Sequence, residues 1–353
     1  MSLNNPGPED EYPERLALIR IDPPGTHIRH PPPPHELDSY ITPDSKLFQT
    51  IHMGSAVVDS TAWRLVITGL VDHPFSLTLP ELTAMDAIDV TSFHECYGPP
   101  TAKPIKNYLR IGNVTWTGVR LATLLQRAGL QAEAKYIWSE GLDHGEFAGH
   151  RARRFQKDLT LSKAMSEECL VAWAMNGQPL SKERGGPVRL VVPGWFGTNS
   201  TKWLCRLEVR DRRAEGTIFT TRFYNEIDPK DREGKRMRPV WEVEVNSMIA
   251  RPKPGEVVEG REVRVEGWCW SVCPVESLEL GFRGGAGEDA IEWKTADVRV
   301  RECASWHWQR FWWSGPLGKG QYTLVSRAKD GSGDVQPMTG RRNHVHEVAF
   351  EVG

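Results

Sequence analysis

Hydrophobic and polar positions alternate with two different textures along the chain, and the change falls near residue 235. In the first stretch, "WRLVITGLV" reads as a strand with a turn glycine, and "FSLTLPELTAM" opens a helix after Pro80. "TGVRLATLLQRAGL" spaces Val119, Leu121, Leu124, Leu125 and Leu130 along one buried helix face, with Gly129 as the stop. "LTLSKAMSEECLVAWAMNG" continues the mixture of helix and strand. "GGPVRLVVPGWFG" is a short apolar strand whose glycines and prolines impose sharp ends. Residues 44–235 therefore read as an α+β domain.

Beyond the charged linker "YNEIDPKDREGKRMRPV", two-residue alternation takes over. "WEVEVNSMIARP", "EVVEGREVRVEGWCWS", "VESLELGF", "DVRVR", "WHWQRFWW", "GQYTLVSRAKD" and "NHVHEVAFEV" give about seven strands with turn residues between them, the pattern of an all-β immunoglobulin-like sandwich over residues 236–353. This half holds many of the 14 tryptophans but no clustered acid, base or nucleophile, which suggests packing or association. Residues 1–43, with "IDPPGTHIRHPPPPHELDSY", are Pro-rich and polar and read as an extended arm.

At 353 residues, two domains are the default, and 39% hydrophobic with 25% charged residues is a globular composition. A formal charge of -2 supplies no field for nucleic acid or anionic lipid, and no apolar run approaches the length of a membrane span. "MSLNNPGPEDEYPER" shows neither an apolar signal core nor a twin arginine, and six scattered cysteines make no disulfide framework. A reducing, cytoplasmic setting is expected. Cys269 and Cys273 are spaced CxxxC without a second ligand pair, so they read as strand residues filling core.

Chemistry is concentrated elsewhere. "TSFHECYGPP" sets Cys96 between a carboxylate and a rigid turn, and the segment alone leaves a core thiol, a nucleophile and a metal ligand open. "GGPVRLVVPGWFGTNSTKW" frames Arg189 and Lys202 with glycines that let backbone approach a ligand, a combination suited to phosphate or pyrophosphate. Neither GxGxxG nor GxxxxGK[ST] occurs, so a dinucleotide fingerprint and a P-loop are excluded.

Taken together, "NVTWTGVRLATLLQRAGL", "VAWAMNGQPLSKERGGPVRLVVPGWFGTNSTKWLCRLEV" and "GQYTLVSRAKDGSGDVQP" resemble, in order, the sulfite oxidase family of molybdenum enzymes. The resemblance spans roughly residues 44–350 and implies a molybdopterin-binding domain followed by an immunoglobulin-like dimerisation domain. It implies Cys96 as the molybdenum ligand, a soft thiolate suited to a metal that also carries a dithiolene and oxo groups. It implies cofactor contacts from His52, Asp143, Arg189 and Lys202, with Arg184 standing where many members have histidine. His94 and Tyr97 are substrate-contact candidates by adjacency to Cys96.

The substrate pocket departs from that pattern. Thr50 replaces an arginine, Pro100 and Thr101 fall where paired arginines stand, and Phe155 aligns with the active-site tyrosine. Each charged hydrogen bond lost from a bound anion costs about 1.5–3 kcal/mol, so sulfite binding is expected to be weak unless Arg151, Arg153 and Arg154 fold inward. The cysteine loop also departs from assimilatory nitrate reductase, and no cytochrome b5-like or flavin segment is recognised. The expectation is a molybdopterin-dependent oxidoreductase acting on a small, less anionic sulfur or nitrogen compound. It would work as a homodimer with a separate electron donor or acceptor. A sulfite oxidase with substitute cations and a cofactor-free association scaffold are the alternatives.

Overall fold

The structure is a computed structural model that describes residues 19–98, 105–228, 231–284 and 290–353. The chain divides into two compact units that are not contiguous in sequence. Among the described residues, the first takes those within 19–29, 48–90 and 115–241, and the second those within 30–47, 91–114 and 242–353. The chain crosses from one to the other within the strands Ile88–Glu95 and Ile111–Arg120.

In the first unit, a five-stranded sheet runs in the order Gln156–Thr160, Tyr136–Gly141, Leu204–Arg210, Arg64–Gly69, Phe75–Thr78. Its central pair, Leu204–Arg210 with Arg64–Gly69, is parallel. Leu170–Met175 pairs antiparallel with Arg189–Val191 on one side and with residues 116–120 on the other. Helix Leu79–Thr83 starts on a reciprocal cap: the Thr78 hydroxyl accepts from the Glu81 N–H, and the Glu81 carboxylate accepts from the Thr78 N–H. Helix Leu121–Ala128 buries Leu121, Leu124, Leu125 and Ala128, the i, i+3, i+4, i+7 face, and ends at Gly129 with φ +71°. These side chains join Leu65, Ile67, Ile137, Val171, Leu190 and Leu207 in the core.

The unit is mostly β, with few and short helices, whereas a fuller α+β mixture was expected; the longest described helix in it has eight residues. The apolar run in "ECLVAWAM" is the main reason, since it is taken up by the strand Leu170–Met175, where cross-strand pairing satisfies its backbone.

The second unit is all-β in its C-terminal run. Its strands follow one hydrogen-bonded path: Asn246–Arg251, Glu262–Trp270, Gln309–Pro316, Glu292–Val298, Val275–Gly284, Gly320–Asp330, His346–Val352, Val257–Val258. Glu292–Val298 is the corner, because residues 292–296 pair with Val275–Gly284 while Asp297 and Val298 pair with Gln309–Pro316. Val263, Val265, Leu278, Leu280, Phe311, Leu324 and Phe350 meet in the core between the pairings. Cys269 belongs to this core, where burial pushes its thiol pKa up, while Cys273 is half-buried.

The described part of the Pro-rich arm is less extended than its composition suggests. Leu37 and Thr42 are buried, the Trp268 indole N–H donates to the Leu37 carbonyl at 2.7 Å, and the Thr42 N–H donates to the Asn113 carbonyl at 2.7 Å. Residues 91–114 join the same unit through local pairing: the Phe93 N–H donates to the Trp306 carbonyl, and the Trp308 N–H to Asn113 Oδ1. Within "SWHWQRFWW", Trp308 is fully buried and stacks on Trp268 at 4.5 Å, whereas Trp312 is exposed. Among the described residues no helix is long and apolar enough to cross a membrane.

Candidate functional site

In the first unit a small, partly open cleft lies between Thr50, Ile51, His52, Asp143, Phe155, Gly197, Thr198, Ser200, Lys202 and Trp203. Four separate chain segments bring these residues together, so the cleft is a product of the fold and not of any local motif.

Asp143 follows the strand Tyr136–Gly141 and is buried. Burial pushes its pKa up to about 7, and its Oδ1 has no hydrogen-bond partner among the described residues. Gly141 makes the close approach possible: a Cβ there would stand 2.5 Å from Asp143 Oδ1 and 2.6 Å from the Lys202 carbonyl. Gly185, at φ +89°, similarly leaves room for the Lys202 stem, which a Cβ would meet at 2.5 Å.

The cations sit around the "ERGGPVRLVV" run. Lys202 Nζ donates to the carbonyls of Thr50 at 2.9 Å and Glu183 at 3.1 Å. Arg184 Nη1 donates to the Phe48 carbonyl at 2.7 Å. Arg189, on the strand Arg189–Val191, donates to the Arg184 and Ser200 carbonyls, each at 3.1 Å, and lies 4.8 Å from the Trp116 ring centroid. Burial, with Arg184 close by, pulls the Arg189 pKa down to about 9. A buried guanidinium held by carbonyl dipoles and a ring face is costly, and an anion would relieve it.

His52 is enclosed by rings. It stacks on Phe155 at 5.3 Å and meets Phe147, Phe219 and Tyr224 edge-on, and its Nε2 is hydrogen-bonded to the Tyr224 hydroxyl. Burial, then the charges of Lys202 and Lys157, push its pKa down to about 3, so the imidazole is neutral at ordinary pH. Behind it, Lys157 is buried and donates to the Phe219 carbonyl at 3.0 Å, and burial lowers its pKa to about 7.

The structure thus gathers His52, Asp143 and Lys202 at one cleft and sets Arg184 and Arg189 beside Lys202 through the contacts above. Cys96, His94 and Tyr97 belong to the second unit, on and just after the strand Ile88–Glu95. Cys96 is half-buried, Tyr97 is buried, and the Cys96 N–H donates to the Arg110 carbonyl at 2.9 Å. Pro100 and Thr101 lie outside the described residues. Arg151 and Arg153 are exposed, and Arg154 turns to Glu140 at 3.3 Å. Tyr224 and Lys157 had no sequence signal: Tyr224 reaches His52 across 172 residues.

Comparison with known proteins defines the class. Residues 52–218 match the oxidoreductase molybdopterin-binding domain model. The chain is 29% identical to mitochondrial sulfite oxidase of Macaca fascicularis over 94% of its own length and 64% of that protein's. It is 28% identical to the NADH nitrate reductase of Ulva prolifera over 92% of its length and 41% of the relative's. It therefore spans about two thirds or less of these curated relatives. The crystal structure of the sulfane dehydrogenase SoxCD from Paracoccus pantotrophus superposes with a TM-score of 0.76 at 26% identity, covering 98% of this chain and 90% of that one. Residues 52–218 thus match a molybdopterin-binding oxidoreductase domain, and nearly the whole chain is similar to sulfite oxidases and to the sulfane dehydrogenase.

Such a domain implies a molybdenum cofactor, and the cleft fits one. The unpartnered Asp143 Oδ1 and Thr198 Oγ1 are acceptors for pterin N–H groups, and Lys202, the cation on the cleft wall, suits its phosphate, with Arg184 and Arg189 behind the wall.

Proposed function

We propose that this protein transfers an oxygen atom to or from a small, weakly charged sulfur or nitrogen compound, with Cys96 as the thiolate ligand of molybdenum. Arg184, Arg189 and Lys202 hold the pterin phosphate, and Asp143 and Thr198 orient the pterin ring. The cofactor, when bound, supplies the two-electron redox change and the transferable oxygen. The chain's own residues bind, orient and exclude water. His52 and Tyr224 hold a hydrogen-bonded pair at the edge of an aromatic wall, and His94 and Tyr97 lie two residues before and one after Cys96 in sequence.

The observation that carries the substrate reading is the character of that wall. Thr50, neutral His52 and Phe155 line one part of the cleft, with Phe147 and Phe219 packed behind them, while Lys202, the cation of the lining, is assigned to the cofactor phosphate. Rings and a neutral imidazole offer little to a dianion but suit an organic S-oxide or N-oxide. The test is steady-state turnover of sulfite beside organic S- and N-oxides. Faster turnover of a neutral compound supports this reading, and sulfite oxidation with a kcat/KM of about 10⁴ M⁻¹s⁻¹ or more defeats it.

The second unit is the proposed immunoglobulin-like dimerisation domain; exposed Trp312 and Val257 are compatible with a second copy, and sedimentation at micromolar concentration tests it. Six free thiols suit a reducing compartment such as the cytoplasm, and an electron donor or acceptor is the partner this chemistry requires.

A further inference from the structure

Arg342, far along the chain in the second unit, touches both neighbours of Cys96. Its Nη2 donates to the Glu95 carboxylate, and its Nε donates to the Tyr97 main-chain carbonyl at 3.3 Å. Its guanidinium lies 5.3 Å from the Tyr97 ring centroid, and Nη1 reaches Glu244 at 3.5 Å. Glu95 is held from its other oxygen by the Trp270 indole N–H at 2.6 Å. Arg342, Glu95, Tyr97 and Trp270 are all buried. With the Cys96 N–H bound to the Arg110 carbonyl, the residues before and after the cysteine, and its own amide, are fixed.

We propose that Arg342 is a positioning residue for Cys96: one planar fork grips the side chain of Glu95 and the main chain of Tyr97 and so sets where the thiol between them points. The geometry suits arginine alone. A lysine carries the charge but offers one point of donation, and it cannot span a carboxylate and a carbonyl in fixed relative directions. A thiolate that ligates a metal has to be held in its orientation before the metal arrives, or each binding event must order the loop. The metal-ligand part rests on the proposed role of Cys96; the positioning of the thiol does not.

The test uses cofactor-free protein from a host that makes no molybdopterin, in a Cys273→Ser, Cys303→Ser background that removes the other half-buried and exposed thiols. Iodoacetamide labelling, read by peptide mass spectrometry, gives the Cys96 rate and, as internal controls, the rates of buried Cys169, Cys205 and Cys269. Arg342→Lys is expected to raise the Cys96 rate at least about tenfold while the three controls stay protected, because only the local clamp is released. Glu95→Gln, which keeps the shape, is expected to change it less. An unchanged Cys96 rate in folded Arg342→Lys overturns the proposal, as does a parallel rise at the three controls, which marks a general structural role. In protein from a cofactor-competent host, a shifted Mo(V) signal for Arg342→Lys extends the role to the metal. Faster labelling of Cys96 with no molybdenum bound by the parent protein leaves the positioning intact and defeats only the ligand assignment.

Discussion

The Tyr224 hydroxyl is hydrogen-bonded to Nε2 of His52, closing an aromatic box that includes Phe147, Phe155 and Phe219. Tyr224 adopts the left-handed conformation at φ +58°, and the Val240 N–H holds its carbonyl at 2.9 Å. A bulky residue keeps such a backbone only where its surroundings over-determine it. Tyr224→Phe leaves a buried imidazole nitrogen unsatisfied, so a loss of about 1–3 kcal/mol in unfolding free energy is expected. Because His52 lines the cleft, kcat should fall with it. Calorimetry of the variant, with steady-state kinetics, reads both effects.

Asp143 makes stability depend on pH. Burial raises its pKa to about 7 from the ordinary 3.8, so between these values the folded chain binds a proton that the unfolded chain has lost. Stability from this group is therefore full below about pH 4 and falls as pH rises toward 7. Asp143→Asn removes that slope. Cofactor-free Asp143→Asn is expected to be more stable than wild type at pH 8 by about 2–4 kcal/mol, and to differ little at pH 4. Melting curves at the two pH values decide it; equal differences at both would show that Asp143 is ionised throughout.

Cys96→Ser separates holding the metal from tuning it. The dithiolene also binds molybdenum, so elemental mass spectrometry is expected to find near wild-type metal in the variant. The Mo(V) spectrum should nevertheless change, because an alkoxide or water is a harder donor than a thiolate. An identical spectrum removes Cys96 from the metal.

Much of this was legible in order of locality. The helix Leu121–Ala128 and its Gly129 stop follow from spacing, although Val119 belongs to the strand before it and Leu130 lies beyond the stop, and the alternating strands after residue 241 follow in the same way. The "GGPVRLVVPGW" run marked Arg189 and Lys202 because its glycines and prolines are punctuation that a surface loop does not require. The membership of residues 91–114 in the second unit was not legible, because it rests on pairings such as Phe93 with Trp306 that no spacing rule encodes. The same holds for Tyr224 beside His52, and for the short helices, where strand pairing outweighed helix propensity. The charged residues were misleading in one respect: Lys202 and Arg189 are engaged with backbone carbonyls, and Arg154 is taken by Glu140.

Arg189 gives the sharpest test of the cofactor cleft. It is buried, donates to the carbonyls of Arg184 and Ser200, and packs against the Trp116 ring. Arg189→Met keeps most of the packing volume but removes both donors and the charge. Two carbonyls then lose their partner, which costs about 1–3 kcal/mol each if water does not enter. Removing a buried charge that lacks a carboxylate offsets part of this loss, so the cofactor-free variant is expected to melt within a few degrees of wild type. Cofactor binding has no such compensation. A phosphate that loses a charge-assisted hydrogen bond should bind about 10–100-fold more weakly, by the roughly 1.5–3 kcal/mol such a bond contributes. Molybdenum and pterin content after gel filtration, measured beside melting temperature, reads the two effects separately. A small change in melting with a large loss of pterin assigns Arg189 to the cofactor, whereas a large fall in melting with pterin retained assigns it to the fold.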